Sequence, residues 1–133
     1  MGVGLGWTAA LAVQMAALVE PRRFAGAAAL GGLDRLESLS EQIDEFHSIQ
    51  MLPGALRWFD EEDLLAALAP CPVLVAGATN KKGSPLSASA LAERYGWAVE
   101  RYGPQHGGRL QLHAGQITPA EMAQWRRSVL ESP

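Results

Sequence analysis

The sequence predicts an α/β fold in three layers, with a short parallel sheet flanked by helices. Two apolar runs, 24–30 and 72–76, have the length of buried strands and are each followed at once by glycine. A third short strand is predicted at 109–113, and segments with helical periodicity alternate with all three. Such alternation indicates parallel strands joined by right-handed crossovers, and function in these sheets gathers at the carboxyl ends of the strands. The alanines of 24–30 leave a helix as the alternative for that run.

The helical segments show apolar residues at helical spacing and recognisable ends. Residues 8–19 are rich in alanine, the best helix former, and Pro21 follows them. Four carboxylates at 60–63 suit a first helical turn, where the helix dipole favours acids; the alternative, a metal site, has no histidine nearby in sequence. Thr118 is predicted to cap the last helix with Glu121. The remaining predicted helices are 34–51, 64–68, 86–102 and 118–130.

Composition predicts one domain, 1–133, in which 34–62 is a lid-like or loop-rich insertion. The 133 residues are 48% hydrophobic, enough for a core, and the net charge of -3 argues against nucleic acid as a partner. A single cysteine, Cys71, cannot form an internal disulfide and has no metal-ligand spacing around it. We therefore expect a cytoplasmic protein, and the motifs call for no cofactor and no metal.

The uncharged run 1–19 approaches the length of a membrane span. Three glycines, Thr8 and Gln14 dilute it, and no lysine or arginine precedes it. We expect a buried helix and no membrane partner; a signal peptide or membrane anchor is the alternative.

A glycine-rich turn at residues 1–7 opens into the first helix. Within it, Gly2-Val3-Gly4-Leu5-Gly6 has the spacing of G-x-S-x-G, the strand-to-helix turn that carries the nucleophile of α/β-hydrolases. Glycine stands at the serine position.

Together with this turn, three later stretches resemble the C-terminal half of proteins similar to acetyl xylan esterase and dienelactone hydrolase. Met51-Leu52-Pro53-Gly54 and Pro85 also match that family, whereas Cys71 departs from its usual Ala-Pro-Arg-Pro. The resemblance implies a partial α/β-hydrolase fold. The three stretches are 64–75, Gly77-Ala78-Thr79-Asn80 and Leu112-His113-Ala114-Gly115-Gln116.

The same resemblance implies that Gly4 stands at the position of the nucleophile and Asn80 at the position of the catalytic acid. Gln116, or a deletion beside it, would stand at the position of the catalytic histidine. Leu5 would supply the first oxyanion donor, and the second would be missing because it comes from a loop after an earlier strand. Losing one triad member lowers turnover by roughly three to six orders of magnitude. The resemblance therefore implies a degenerate, non-catalytic protein of esterase lineage that acts through binding or assembly.

Substitute groups offer a rival interpretation. His113 lies at the end of a strand, and Ser84 or Ser87 could serve as nucleophile if a carboxylate stood behind the histidine. Serines after a strand are more often helix caps, and His47 and His106 are expected to face solvent. The rival function is therefore an ester or acyl hydrolase that uses unconventional residues or is completed by a partner chain.

A third function is small-molecule binding, with aromatic side chains as the walls of the emptied site. The alternative for these residues is simple core packing. The candidate walls are Trp7, Trp58, Phe59 and Trp97.

The resemblance also implies an open sheet edge. The strand that would lead into the turn at 1–7 is expected to be missing, which leaves strand 24–30 without its neighbour. Exposed apolar edges tend to pair with other chains, so we expect a homo-oligomer or a complex with a separate N-terminal half. A truncated gene product of marginal stability is the remaining alternative.

Overall fold

The computed structural model describes residues 1–37 and 57–131, which form a four-stranded parallel sheet with five α-helices. The predicted α/β class is confirmed. The strands are β1 (Gly2–Leu5), β2 (Ala27–Leu30), β3 (Val73–Ala76) and β4 (Leu110–His113), and the helices are α1 (Gly6–Val19), α2 (Glu61–Ala67), α3 (Ala88–Arg94), α4 (Gly96–His106) and α5 (Pro119–Glu131).

The strands lie in chain order, β1-β2-β3-β4, and each neighbouring pair is parallel. Ala29 of β2 pairs with Gly4 on one side and with Val75 on the other. Because all four strands run the same way, their carboxyl ends meet at one edge of the sheet. Any site built from strand ends must lie at that edge.

Helices cover both faces of the sheet, which confirms the three layers. On one face, Ala27, Val73 and Leu110 belong to a core that includes residues of α1, α2 and α4. On the other face, Ala28 and Leu74 pack beneath α5. β2 is buried at all four positions, and its three alanines keep both helical layers close to the strand.

The expectation that the strand before the first helix is missing is wrong. Residues Gly2–Leu5 are themselves that strand, paired with β2, and the turn begins only at Gly6. Glycine weakens strand signals because it has no side chain to pack, which is why the segment resembles a turn in sequence. Strand β2 is therefore internal, and the edge strands among the described residues are β1 and β4.

The predicted helix 86–102 is two helices, with Tyr95 between α3 and α4. Helical structure then continues to His106 across a kink at Gly103, where φ is 60° and ψ is 179°. The turn predicted at 103–108 is thus reduced to this kink and the 3-10 turn that follows. Most of the predicted insertion at 34–62, including the helix at 34–51, lies outside the described residues.

Helix α1 is too short to be a membrane span. Across residues 1–37 and 57–131, no helix is both long and apolar enough to cross a bilayer.

The acids at 60–63 begin α2 as predicted. The Asp60 carboxylate accepts hydrogen bonds from the backbone N–H of Glu61 at 2.7 Å and of Leu36 at 2.5 Å. In return, the Asp60 N–H donates to Asp63 at 2.7 Å, which completes a capping box. Asp60 therefore ties the start of α2 to the segment that follows β2.

Replacing Asp60 by alanine should lower the free energy of unfolding by about 1–2 kcal/mol, because the N-cap and the bond to Leu36 are both lost. Urea unfolding followed by circular dichroism measures the loss. Asp60→Asn, which keeps an acceptor, should cost less, and Glu93→Ala on the exposed side of α3 should change stability by under about 0.5 kcal/mol. Equal losses in Asp60→Ala and Glu93→Ala would contradict the capping role.

The start of α5 also matches its prediction. The Glu121 carboxylate accepts from the Thr118 N–H at 2.8 Å and from its hydroxyl at 2.7 Å, while the Thr118 hydroxyl accepts from the Glu121 N–H at 3.3 Å. These hydrogen bonds lower the pKa of Glu121 below its usual value. The Glu121 side chain is therefore committed to holding the helix start.

Candidate functional site at the carboxyl edge of the sheet

Three of the four strands end in a glycine with positive φ. The values are 79° at Gly6 after β1, 65° at Gly31 after β2 and 62° at Gly77 after β3. Other residues adopt this conformation only at a cost, so glycine lets each strand turn away sharply at the same edge. The chain thus turns at three neighbouring points along the carboxyl edge, which is where α/β proteins place their sites.

Gly4 is buried inside β1 and has no room for a side chain. A Cβ atom built there would lie 2.0 Å from the carbonyl oxygen of Ala9 in α1. The strand-to-helix turn lies two residues later at Gly6, where a Cβ atom would meet nothing within 4 Å. The sharp turn expected from the sequence therefore exists, but its apex is Gly6, and neither glycine offers a nucleophile. Leu5, the expected first oxyanion donor, is the last residue of β1 and the N-cap of α1.

The side chain of Asn80 closes its own loop. Its Oδ1 atom accepts from the N–H of Lys82 at 2.9 Å and of Ser84 at 3.1 Å. The Asn80 N–H also donates to the Ser84 carbonyl at 2.9 Å. This amide is thus used to hold a turn.

Gln116 lies against the end of β3. A Cβ atom at Gly77 would come within 2.9 Å of the Gln116 side-chain nitrogen, so this amide lies directly against the glycine. The Gly77 N–H donates to the carbonyl of His113 at 3.1 Å, which joins the ends of β3 and β4. The structure therefore brings Gln116 to the carboxyl edge as a neutral packing group.

The substitute serines do not join His113. Ser87 is the N-cap of α3, with its hydroxyl accepting from the Ala90 N–H at 3.2 Å, and Ser84 lies in the loop that Asn80 closes. No hydrogen bond within the described ranges links either serine to His113. The capping interpretation of Ser87 is confirmed.

His113 instead lines a cavity of about 310 Å³ beside α5, together with Glu121 and Ser128. A serine, a histidine and a carboxylate in one cavity invite comparison with a triad. However, the Ser128 hydroxyl donates to the Trp125 carbonyl at 2.7 Å, and Glu121 is bonded to Thr118. Both groups are engaged in helix structure, so these contacts do not align a proton relay. His106 lines a separate cavity of about 300 Å³, and His47 lies outside the described residues.

Two of the four aromatic candidates are packing residues. Trp7 and Phe59 lie in one small apolar cluster with Leu33 and Leu36, and the Trp7 indole N–H donates to the Thr79 hydroxyl at 2.8 Å. The core-packing alternative thus describes both. Trp58 is 84% exposed and lines a shallow cavity of about 370 Å³.

Trp97, the fourth aromatic candidate, is about half exposed near the start of α4. Its backbone N–H donates to the Glu62 carboxylate at 2.8 Å.

Sequence reasoning missed a buried polar cluster below the carboxyl edge, on the α1 side. Gln14 of α1 and Glu61 of α2 are buried, as is Asp34, whose carboxylate lies 3.3 Å from the Arg94 guanidinium. The Tyr95 hydroxyl donates to the Asp34 carbonyl at 3.5 Å. One signal was present, because Gln14 interrupts an otherwise apolar helix, but the acids at 60–63 carry no mark of which one is buried.

No cluster in the described ranges resembles a metal centre. Residues 1–37 and 57–131 hold no group of three or more histidine, cysteine or acidic side chains placed to bind an ion.

Comparisons with protein families, with curated proteins and with solved structures gave no significant match.

Proposed function

We propose that this chain is a non-catalytic domain of α/β-hydrolase type and esterase lineage that acts through binding or assembly. The proposal rests on the resemblance, which puts Gly4, Asn80 and Gln116 where a serine hydrolase needs its nucleophile, acid and base. One observation supports it: the apex of the turn after β1 is Gly6, so neither the turn nor the two amides bring a hydroxyl, an imidazole or a carboxylate to these positions. Acyl transfer needs a hydroxyl, a base to take its proton and a carboxylate to hold that base. Glycine and two amides supply none of these.

The local contacts support the same conclusion. Asn80 Oδ1 is committed to two backbone N–H groups, and Gln116 fills the space above Gly77. Here the amides stabilise the loops themselves.

Assembly is supported by the exposed side of β1. Side chains alternate along a strand, and Gly2 and Gly4 face α1, so Val3 and Leu5 face the α5 side, where both are exposed. The strand has no charge, proline or bulge, which are the usual protections of an edge strand. We propose that β1 is the contact through which the chain forms a homo-oligomer or binds a separate N-terminal half, in a reducing cytoplasmic compartment.

The catalytic half of the proposal is tested by hydrolysis of p-nitrophenyl acetate and by labelling with a fluorophosphonate. We expect a rate equal to buffer with denatured protein and no labelled serine, because no described serine has an aligned base. Labelling of one serine, abolished by its replacement with alanine, would establish the rival hydrolase.

The assembly half is tested by size-exclusion chromatography with light scattering. We expect a species larger than the monomer at low micromolar concentration, alone or with an N-terminal half supplied as a separate chain. Leu5→Lys should dissociate it, because a charge would be buried in the contact. Leu130→Lys, at an exposed leucine on α5, should leave it intact. A folded monomer under both conditions would refute assembly through β1.

A further inference from the structure

Gln14 and Glu61 are buried polar neighbours between two helices. Gln14 lies within α1 and is 1% exposed, and Glu61 is the first residue of α2 and is 5% exposed. Neither the side-chain nitrogen nor the oxygen of Gln14 completes a hydrogen bond. A buried amide without hydrogen-bond partners lowers the stability of the fold. A neighbouring group that can hydrogen-bond to this amide therefore has a large effect on stability.

Glu61 is that neighbouring group, and its protonation state decides how many hydrogen bonds it can make with the Gln14 amide. A carboxylic acid has one donor and an acceptor, which matches the free oxygen and the free nitrogen of Gln14. A carboxylate only accepts, so it can pair with the amide nitrogen but leaves the Gln14 oxygen without a partner.

The charges around Glu61 also favour the neutral form. Asp60 precedes it, and Asp34 faces it from the segment after β2. The cation of this cluster, Arg94, lies 3.3 Å from Asp34, and no ion pair of Glu61 occurs among the described residues. Tyr95, at the junction of α3 and α4, adds a hydroxyl whose pKa is raised by burial and then by Glu61 and Asp34.

We propose that Glu61 is a proton-dependent latch between α1 and α2. As a carboxylic acid it pairs with the Gln14 carboxamide and holds the two helices together. As a carboxylate it places an uncompensated charge between two acids, and the start of α2 must loosen to let water reach it. The released proton goes to solvent.

The pH range of the latch follows from burial. Burial raises the pKa of Glu61 from its usual 4.5 to about 7, and the charges of Asp60 and Asp34 add to the rise. The Gln14 amide beside the carboxylate opposes the rise, although the geometry of the two groups does not complete a hydrogen bond. Between these two values the folded protein holds a proton that the unfolded chain has released, so stability falls as pH rises from 4.5 to about 7 and then levels off. The latch therefore responds near neutrality.

The test uses the full chain. Carbon-13 NMR of the glutamate carboxyl groups from pH 4 to 9, with Glu61 assigned by its loss in Glu61→Gln, should show one midpoint near neutrality. Amide hydrogen exchange, corrected for intrinsic rates, should show that protection of residues 61–67 falls on the order of 100-fold between pH 5 and 8.5. Protection in β3 should fall less, because that strand is held by the rest of the sheet.

Two variants separate the latch from general alkaline destabilisation. Glu61→Gln keeps a donor and an acceptor at every pH, so its protection at 61–67 should not change with pH. Glu93→Gln, at an exposed glutamate, should behave like the parent chain. A Glu61 midpoint near 4.5, or an equal loss of protection in Glu61→Gln, would overturn the proposal. If Glu61→Gln does not fold, the Glu61 carboxyl signal is assigned in the parent chain through its bonds to the Glu61 backbone amide, and its midpoint decides the question.

Discussion

Replacing Gly4 by serine should unfold the chain and should not produce a hydrolase. A Cβ atom at this position would lie 2.0 Å from the Ala9 carbonyl oxygen and 2.7 Å from the Ala10 nitrogen. These are backbone atoms of α1, so no side-chain rotation relieves the clash, and α1 would have to move off the sheet. We expect a loss of about 3 kcal/mol or more in the free energy of unfolding, a large share of a domain's total stability.

Two matched variants make this result specific. Gly96→Ala, where the new atom meets nothing within 4 Å, should be neutral or stabilising. Gly6→Ser also enters open space but must adopt the positive φ of the turn, so it should fold with a loss of about 1 kcal/mol. Urea denaturation of all three variants measures the series. A stable Gly4→Ser would contradict the close approach of α1 to β1.

The same variants test the proposal that the turn after β1 corresponds to the nucleophile position of a hydrolase. Gly6→Ser should fold and still hydrolyse p-nitrophenyl acetate at the background rate, because Asn80 and Gln116 supply neither acid nor base. Substantial hydrolysis by Gly6→Ser would show that a base lies within reach of the turn.

Replacing Trp125 by alanine should cost about 3–5 kcal/mol, the second large effect. Trp125 is the largest side chain with which α5 covers its face of the sheet, where it packs with Ala28, Leu30 and Leu74. Ala28 and Ala76 in the same cluster are too small to extend into the space that it leaves. Removal would open a cavity along the whole contact.

Thermal and urea unfolding measure the Trp125 effect, and Leu130→Ala is its control. Leu130 lies on the same helix but is 59% exposed, so its truncation should change stability by under about 0.5 kcal/mol. Trp125→Phe, which keeps an aromatic ring, should fall between the two. A loss of under about 1 kcal/mol in Trp125→Ala would mean that α5 is not the layer that covers this face.

The aromatic and acidic residues show where sequence reasoning stops. Trp7 and Phe59 lie far apart in the chain, and only the fold brings them into one cluster with Leu33. Among four consecutive acids, Asp60 caps α2 and Glu61 is buried against α1, a difference that depends on which helix packs beside them. Local sequence predicts that acids begin a helix, because the helix dipole is a local property.

The sequence by itself determined the α/β class, strands at 24–30, 72–76 and 109–113 that contain β2, β3 and β4, and the acids and cap residues that begin α2 and α5. Each of these depends on neighbours within a few residues: apolar runs bounded by glycine or proline, and cap side chains three positions apart. Only the tertiary structure decided that Gly2–Leu5 is a strand, that Gly4 has no room for any side chain and that Glu61 meets Gln14. These three features depend on contacts between segments that are distant in the chain, and the type of a residue does not indicate which distant segment packs against it.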